Sequence, residues 1–181
     1  MKDAKHVLRD VQTVVFDLDG TFYDRTGLAR RMVKRLWWCL PLMAIDRLSK
    51  GGACWRWIVS TNWHRKVYLA TMVELIGKCC PRRENVVALF EQCKAQGIQT
   101  AIYSDYGAVE DKLRVLHIDP KQFDLLITAP EIGALKPSES AARTVLQRLN
   151  ADPATTLFVG DRDEKDGEAA RRVGAQFLLV N

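Results

Sequence analysis

The chain has 181 residues, enough for one domain with a sizeable insertion and a substantial core. Hydrophobic residues at 48% and charged residues at 27% exclude a disordered chain, and the longest apolar run, Leu36–Ile45, is half the roughly 20 residues that a membrane-spanning helix needs. The formal charge of +5 hides an asymmetry, because residues 24–83 carry thirteen Lys/Arg against three acids, net +10, while the remainder stands at −5.

In chain order, Met1–Asp10 is polar and lacks the apolar region of a signal peptide, so no secretion is expected. Val11–Phe16 is a short β-branched run ending at Asp17 and predicts a buried strand. Residues 24–82 then break into two helical patterns, Leu28–Leu48 and Trp55–Gly77, separated by the turn signal Lys50-Gly51-Gly52 and left at Pro81. Helical and strand patterns alternate from there. Glu84–Gln96 is a helix with Gly97 at its C-terminal cap, Gln99–Tyr103 a strand, Gly107–Leu116 a helix and Phe123–Thr128 a strand. Ser138–Leu149 (helix), Leu157–Val159 (strand), Lys165–Val173 (helix) and Gln176–Val180 (strand) complete the series. The sequence ends at Asn181, and no later element is expected.

Alternation of this kind predicts an α/β fold, a doubly wound parallel sheet whose ligand site lies outside the carboxyl ends of the strands. Residues 1–23 and 83–181 would form that core, with residues 24–82 an all-helical insertion after the first strand, above the carboxyl edge of the sheet. Five cysteines, Cys39, Cys54, Cys79, Cys80 and Cys93, are odd in number and without a C-x-x-C pair, which predicts reduced thiols in a cytoplasmic protein. His6, His64 and His117 show no ligand spacing.

The polar residues that follow the apolar runs carry the chemistry. The first run ends in Asp17 and Asp19, the second in Ser104 and Asp105 and the fourth in Gly160-Asp161, while Lys136-Pro137 lies in the loop after the third. Parallel strands would gather these side chains on one edge. Carboxylates so crowded repel one another unless a cation sits among them, and hard oxygen donors favour Mg²⁺. A lysine beside metal and carboxylate suits a phosphoryl group, whose charge must be neutralised before an anion attacks it. Gly20 permits a sharp turn after the strand, and backbone amides from Leu18 to Thr21 can face phosphate oxygens. Each piece alone reads as a turn, a cap or a solvated loop residue; four pieces in order at strand ends do not.

The segments Phe16-Asp17-Leu18-Asp19-Gly20-Thr21, Tyr103-Ser104-Asp105, Leu135-Lys136-Pro137 and Val159-Gly160-Asp161, with Asp166 five residues on, resemble the four motifs of the haloacid dehalogenase superfamily. The resemblance covers nearly the whole chain outside the insertion, which itself is similar to the C1-type helical cap of the first subfamily on a Rossmann-like core. It implies a phosphoric monoester hydrolase in which Asp17 is the nucleophile, forming an aspartyl-phosphate and coordinating Mg²⁺. Asp19 would protonate the leaving oxygen and then deprotonate water, its backbone carbonyl also touching the metal. Ser104 and the amide of Asp105 would hold the phosphoryl group, and Lys136 would neutralise charge on Asp17 and the phosphate. Asp161 would bind the metal, Asp166 would act in its outer shell and Thr21 would orient the loop. Asp163 competes with Asp166 for that place, with the spacing favouring Asp166. Relatives that act as dehalogenases or phosphonatases lack an aspartate at the position of Asp19, so its presence favours phosphate-ester chemistry.

The implied substrate is a small phosphorylated metabolite. A phosphomutase on the same scaffold and a non-hydrolytic phospho-aspartate switch remain as alternatives, although switch domains lack both this D-x-D-G-T and a helical insertion after the first strand. Asp105-Tyr106 stands where many relatives carry Asn or Gly, a departure that bears on the pocket wall. In the insertion, Trp37, Trp38, Trp55, Trp57 and Trp63 interleave with basic residues. These tryptophans are expected to pack a small core of their own, and the positive charge would draw in phosphorylated substrates. Leu36–Leu40, flanked by Arg30, Arg31, Lys34, Arg35 and Arg47, also resembles an interfacial or partner-binding helix. No nucleic-acid-binding motif accompanies the charge, and no nucleic-acid partner is expected.

Overall fold

The run Thr13–Phe16 (β1) is buried along its whole length because it has a strand on each side and a hydrophobic core on each face. In the computed structural model, which describes residues 7–39 and 63–180, β1 pairs in parallel with β2 (Gln99–Ser104) and with β4 (Thr156–Gly160). Flanking these, β3 (Leu125–Thr128) pairs with β2 and β5 (Gln176–Leu179) with β4, so the five-stranded parallel sheet runs β3-β2-β1-β4-β5. The chain winds outward from β1 in both directions. The point where its direction reverses lies between β1 and β4, the position at which open α/β sheets bind ligands.

Side chains alternate across the sheet with a period of two. Val14, Phe16, Ile102, Leu157 and Val159 enter one core, together with Val86, Leu89 and Phe90 of α3 (Glu84–Ala95) and Leu113 of α4 (Val109–Val115). Val15, Ala101, Tyr103 and Phe158 enter the other, against Val145 and Leu146 of α6 (Glu139–Leu149) and Ala170 and Val173 of α7 (Glu168–Val173). A short α5 (Ala129–Ile132) follows β3 directly.

The described part of the insertion consists of α1 (Leu28–Leu36), a short 3-10 turn over Trp37–Cys39, and α2 (Trp63–Cys79). α1 runs Leu-Ala-Arg-Arg-Met-Val-Lys-Arg-Leu, so Leu28, Met32 and Leu36 fall on one buried stripe while Arg30, Arg31, Lys34 and Arg35 face outward. These apolar residues, with Met72 and Ile76 of α2, join the first core. The expected helix Leu28–Leu48 thus ends at Leu36. A 3-10 turn follows it, and residues 40–48 of that stretch, the start of the pattern from Trp55, the turn at Lys50-Gly51-Gly52, Trp57 and Cys54 lie outside the described residues. Trp37 and Trp38 are largely exposed. The chain leaves and returns at paired segments: Tyr23 bridges Arg82 antiparallel, Asp24 N donates to Pro81 O (2.9 Å) and Arg83 N to Phe22 O (2.8 Å). Among the described residues no helix is long and apolar enough to cross a membrane, and Cys79, Cys80 and Cys93 are free thiols.

Phe22 anchors the loop after β1. It lies 5.4 Å from Phe16 and 6.4 Å from Phe90, ring centre to ring centre, and Phe90 stacks on Phe123 at 4.3 Å. Aromatic contacts of this kind add to the apolar area already buried. Phe90→Ala should therefore cost about 3–5 kcal/mol of unfolding free energy, read from urea denaturation.

Candidate active site

The register aligns Phe16 with Ile102 on one side and Val159 on the other, which brings Asp17, Ser104 and Asp161 to the same carboxyl edge. Between Asp17 and Phe22 the chain folds into a tight turn, with Leu18 O accepting from the amides of Thr21 (3.3 Å) and Phe22 (3.2 Å). Leu18 and Phe22 are fully buried, so the turn is pinned from below while Asp17 and Asp19 face the edge.

Lys136 is the centre of the acidic group. Its Nζ donates to Asp17 Oδ1 at 2.5 Å and to Asp166 Oδ1 at 2.6 Å, and it lies 4.9 Å from the centre of the Tyr103 ring. Thr21 Oγ1 donates to the other oxygen of Asp17 at 3.1 Å. Burial works to lower the affinity of Lys136 for its proton, but Asp17 and Asp166 outweigh it and hold the ammonium firmly charged. Asp17 moves the other way: burial pushes its carboxyl up to about 7, with Asp166 and Asp19 adding to the rise and Lys136 opposing it. Burial also raises Asp161, against the pull of Arg25, whose guanidinium lies 3.1 Å from it.

Asp17, Asp161 and Asp166 each offer a carboxylate oxygen within 4.8 Å of the others, and a cavity of about 20 Å³ opens among these side chains, Asp19 and Lys136. That space suits one ion or water. Two glycines keep it open. A Cβ on Gly20, whose φ is +108°, would fall 2.3 Å from Asp161 Oδ2, and one on Gly160 would fall 2.4 Å from Asp166 Cγ. Three hard oxygen donors with Lys136 and Arg25 beside them still carry one negative charge more than these neighbours neutralise, so the donor set fits a small divalent cation such as Mg²⁺.

Asp19 is only two residues from Asp17 but has different company. Its Oδ1 accepts from Lys112 Nζ (2.6 Å) and Tyr23 Oη (2.5 Å), and its Oδ2 from Ser104 Oγ (2.8 Å). Ser104, expected to face a phosphoryl group, is thus engaged with Asp19 and also accepts from Tyr106 N at 3.0 Å. Asp105 contributes its side chain: Oδ1 accepts from Lys136 N and Oδ2 from Lys165 Nζ, both at 3.0 Å, which ties three loops together.

Asp166 and Asp163 part company here. The expected helix Lys165–Val173 begins instead with a π-helical turn, Asp163–Gly167, and becomes α-helical only at Glu168. Such wide turns recur at functional sites. This one carries Asp166 back beneath Gly160, where it is buried, while Asp163 stays at the surface paired with Arg171 at 2.9 Å.

Four residues complete the site without a sequence motif: Tyr23, Arg25, Lys112 and Lys165. Only Lys112 left a signal. It lies three residues after Val109 and four before Leu116, on the apolar stripe of its helix, where a lysine must find a buried partner.

The haloacid dehalogenase-like hydrolase family model matches residues 11–174. Haloacid dehalogenase-like hydrolase domain-containing protein 3 of Mus musculus is 32% identical over 89 residues, 49% of this chain and 35% of that protein. Glyceraldehyde 3-phosphate phosphatase of Methanocaldococcus jannaschii is 33% identical over 85 residues, 46% of this chain and 37% of that one. The chain therefore spans little more than a third of the length of these curated relatives. Among solved structures, a HAD phosphatase from Thermococcus onnurineus superposes with a TM-score of 0.70 at 20% identity, over 94% of this chain and 86% of that chain. CbbY from Rhodobacter sphaeroides in complex with phosphate gives 0.71 at 20%, over 93% and 85%. At such identities the likeness concerns the fold.

Two outcomes follow from these charges. In chelator, the folded protein holds a proton on Asp17 up to about pH 7, whereas an ordinary aspartate loses it near 3.8. Folding thus binds protons between those values, and stability should fall as pH rises through that window. Urea titrations at pH 5 and pH 7.5 will read the fall, and Asp17→Asn should flatten it. Lys112→Met should remove about 3 kcal/mol of stability by leaving Asp19 buried without its cation. Arg114→Met, on the exposed side of the same helix, should change stability by less than about 0.5 kcal/mol in the same titration.

Proposed function

The chain belongs to the haloacid dehalogenase-like hydrolase family, and on that premise we propose that it is a Mg²⁺-dependent phosphatase acting on a small phosphorylated metabolite through an aspartyl-phosphate on Asp17. The observation that carries the reading is the division of labour between two carboxylates two residues apart. Asp17 sits with Lys136 and two further carboxylates, and Asp19 sits apart from them with Lys112, Tyr23 and Ser104.

Asp17 keeps free lone pairs on both oxygens although each accepts one hydrogen bond, so it can attack phosphorus while held in place. As the Asp17–phosphorus bond forms and the ester bond breaks, Asp19, which must enter this step protonated, gives that proton to the leaving alcohol oxygen. Asp19 then takes a proton from the water that attacks the phosphoryl group, releasing phosphate and the free carboxylate of Asp17. Lys136 offsets negative charge on Asp17 and the phosphoryl oxygens throughout. The amides of Leu18, Gly20 and Asp105 would orient those oxygens, joined by Ser104 once its hydroxyl turns from Asp19, while Thr21 holds the loop. Asp17, Asp161, Asp166 and the backbone carbonyl of Asp19 would hold Mg²⁺, which supplies charge neutralisation and in-line alignment of the phosphoryl group.

Residues 1–23 and 83–181 form the catalytic core in this reading, and residues 24–82 a C1-type cap. The pairing of Tyr23 with Arg82 at the two crossings supports that division.

With Mg²⁺ and an aryl phosphate, Asp17→Asn should lose essentially all turnover and Asp19→Asn should lose at least about a hundredfold in kcat. Turnover that requires a bisphosphate would instead indicate a mutase, and lasting phosphorylation without turnover a switch. Undiminished activity of Asp17→Asn would sink the mechanism.

A further inference from the structure

Beside the small charged cleft lies a second cavity of very different character. It has a volume of about 380 Å³, within the range of small-molecule sites, and three residues, Asp19, Arg25 and Tyr106, line both spaces. The compartment next to the acid/base carboxylate is the one in which the alcohol part of a phosphate ester must sit.

The walls formed by the described residues are mainly apolar. Leu28, Met32 and Leu36 of α1 form one side, and Met72 of α2 with the ring of Tyr68 forms another. Tyr23 adds its ring, its hydroxyl being spent on Asp19. Beyond the shared Asp19 and Arg25, the described lining offers only the hydroxyls of Tyr68 and Tyr106 as polar groups not already bonded to Asp19. A polyol or sugar entering such a space would shed water from several hydroxyls with few partners to replace it. A hydrocarbon group would gain from burial. The basic residues of α1 point outward and leave the described lining uncharged except at the end nearest the phosphate.

We infer that the alcohol moiety of the substrate is apolar, so that the chain acts on a monophosphate of an alkyl, alkenyl or aryl alcohol rather than on a sugar or polyol phosphate. This deepens the phosphatase reading above and rests on it. Asp19 and Arg25 mark where the ester oxygen lies, between the acidic cleft and the apolar cavity.

The test pairs turnover with binding. Primary alkyl phosphates from ethyl to octyl, together with glycerol 3-phosphate and glucose 6-phosphate, are assayed with Mg²⁺. In parallel, the non-hydrolysable ethyl- and octylphosphonates are titrated by calorimetry. The expected result is a kcat/KM that climbs about fourfold per methylene, polyol esters at least tenfold below alkyl esters of the same carbon number, and a more negative heat-capacity change for octylphosphonate. Met32→Gln should flatten the alkyl series, and its calorimetric arm reads the pocket independently of chemistry. Hydrolysis indifferent to chain length, or faster on the polyol esters, overturns the inference and leaves the phosphatase reading intact. No hydrolysis of any ester, with octylphosphonate still bound more tightly than ethylphosphonate, supports the apolar site and overturns the phosphatase reading instead.

Discussion

Three carboxylates on one edge of a sheet repel one another, and the rest of this molecule is arranged around holding them together. Lys136 bridges Asp17 and Asp166, and Arg25 leans on Asp161. The lysine cannot move far, because the backbone amide of Lys136 is held by Asp105, which Lys165 holds in turn. The two glycines exist for the same reason. Any side chain at Gly20 or Gly160 would collide with Asp161 or Asp166 and force the acids apart. Two cations, Lys136 and Arg25, against three acids leave one negative charge unneutralised, and a divalent cation is a group that relieves it.

The second carboxylate of the D-x-D pair has hydrogen-bond partners of its own, although it still adds to the rise of Asp17. Two residues along the chain would leave two aspartates in similar surroundings were it not for the turn at Leu18–Thr21, which sends them to different neighbours. Asp17 meets acids and one lysine; Asp19 meets a lysine, a phenol and a hydroxyl. Two like groups in unlike environments can take different roles in one reaction. The turn holds because Leu18 and Phe22 are driven into the core, so the separation of the two roles is a consequence of hydrophobic packing among Phe16, Phe22, Phe90 and Phe123.

The insertion links charge outside to apolar surface inside. One nine-residue helix, α1, presents three arginines and one lysine to solvent and Leu28, Met32 and Leu36 to the interior. The exterior favours the approach of anions, and the interior favours what is attached to them if it is greasy. Both properties come from a single amphipathic period, but only packing against α2 and the loop at Tyr106 turns the apolar stripe into a cavity wall.

Much of this was legible in the amino-acid sequence. Buried strands at Thr13–Phe16 and Thr156–Gly160 announce themselves as β-branched and apolar runs, since a central parallel strand has no polar face. The polar residues at their ends could then be placed on one edge before any coordinates, and the order of motifs pointed to the family. Element ends were less legible. The expected helix from Lys165 became a π-helical turn from Asp163, because Asp166 has to reach back beneath Gly160. Ser104, Asp105 and the lining around Asp19 had partners that no motif names. Tyr23 and Arg25 follow the turn after β1 and Lys165 lies in the π-helical turn, where no local pattern says what each will meet; Lys112 left only the hint that it falls on the apolar stripe of its helix. The sequence by itself determined the sheet, its polar edge and the residues able to do chemistry there, because these follow from local hydrophobic pattern and from which side chains end each strand. Only the tertiary structure decided which lysine meets which aspartate and what kind of pocket opens beside them, because those pairings join residues up to 119 positions apart and depend on where whole elements come to rest.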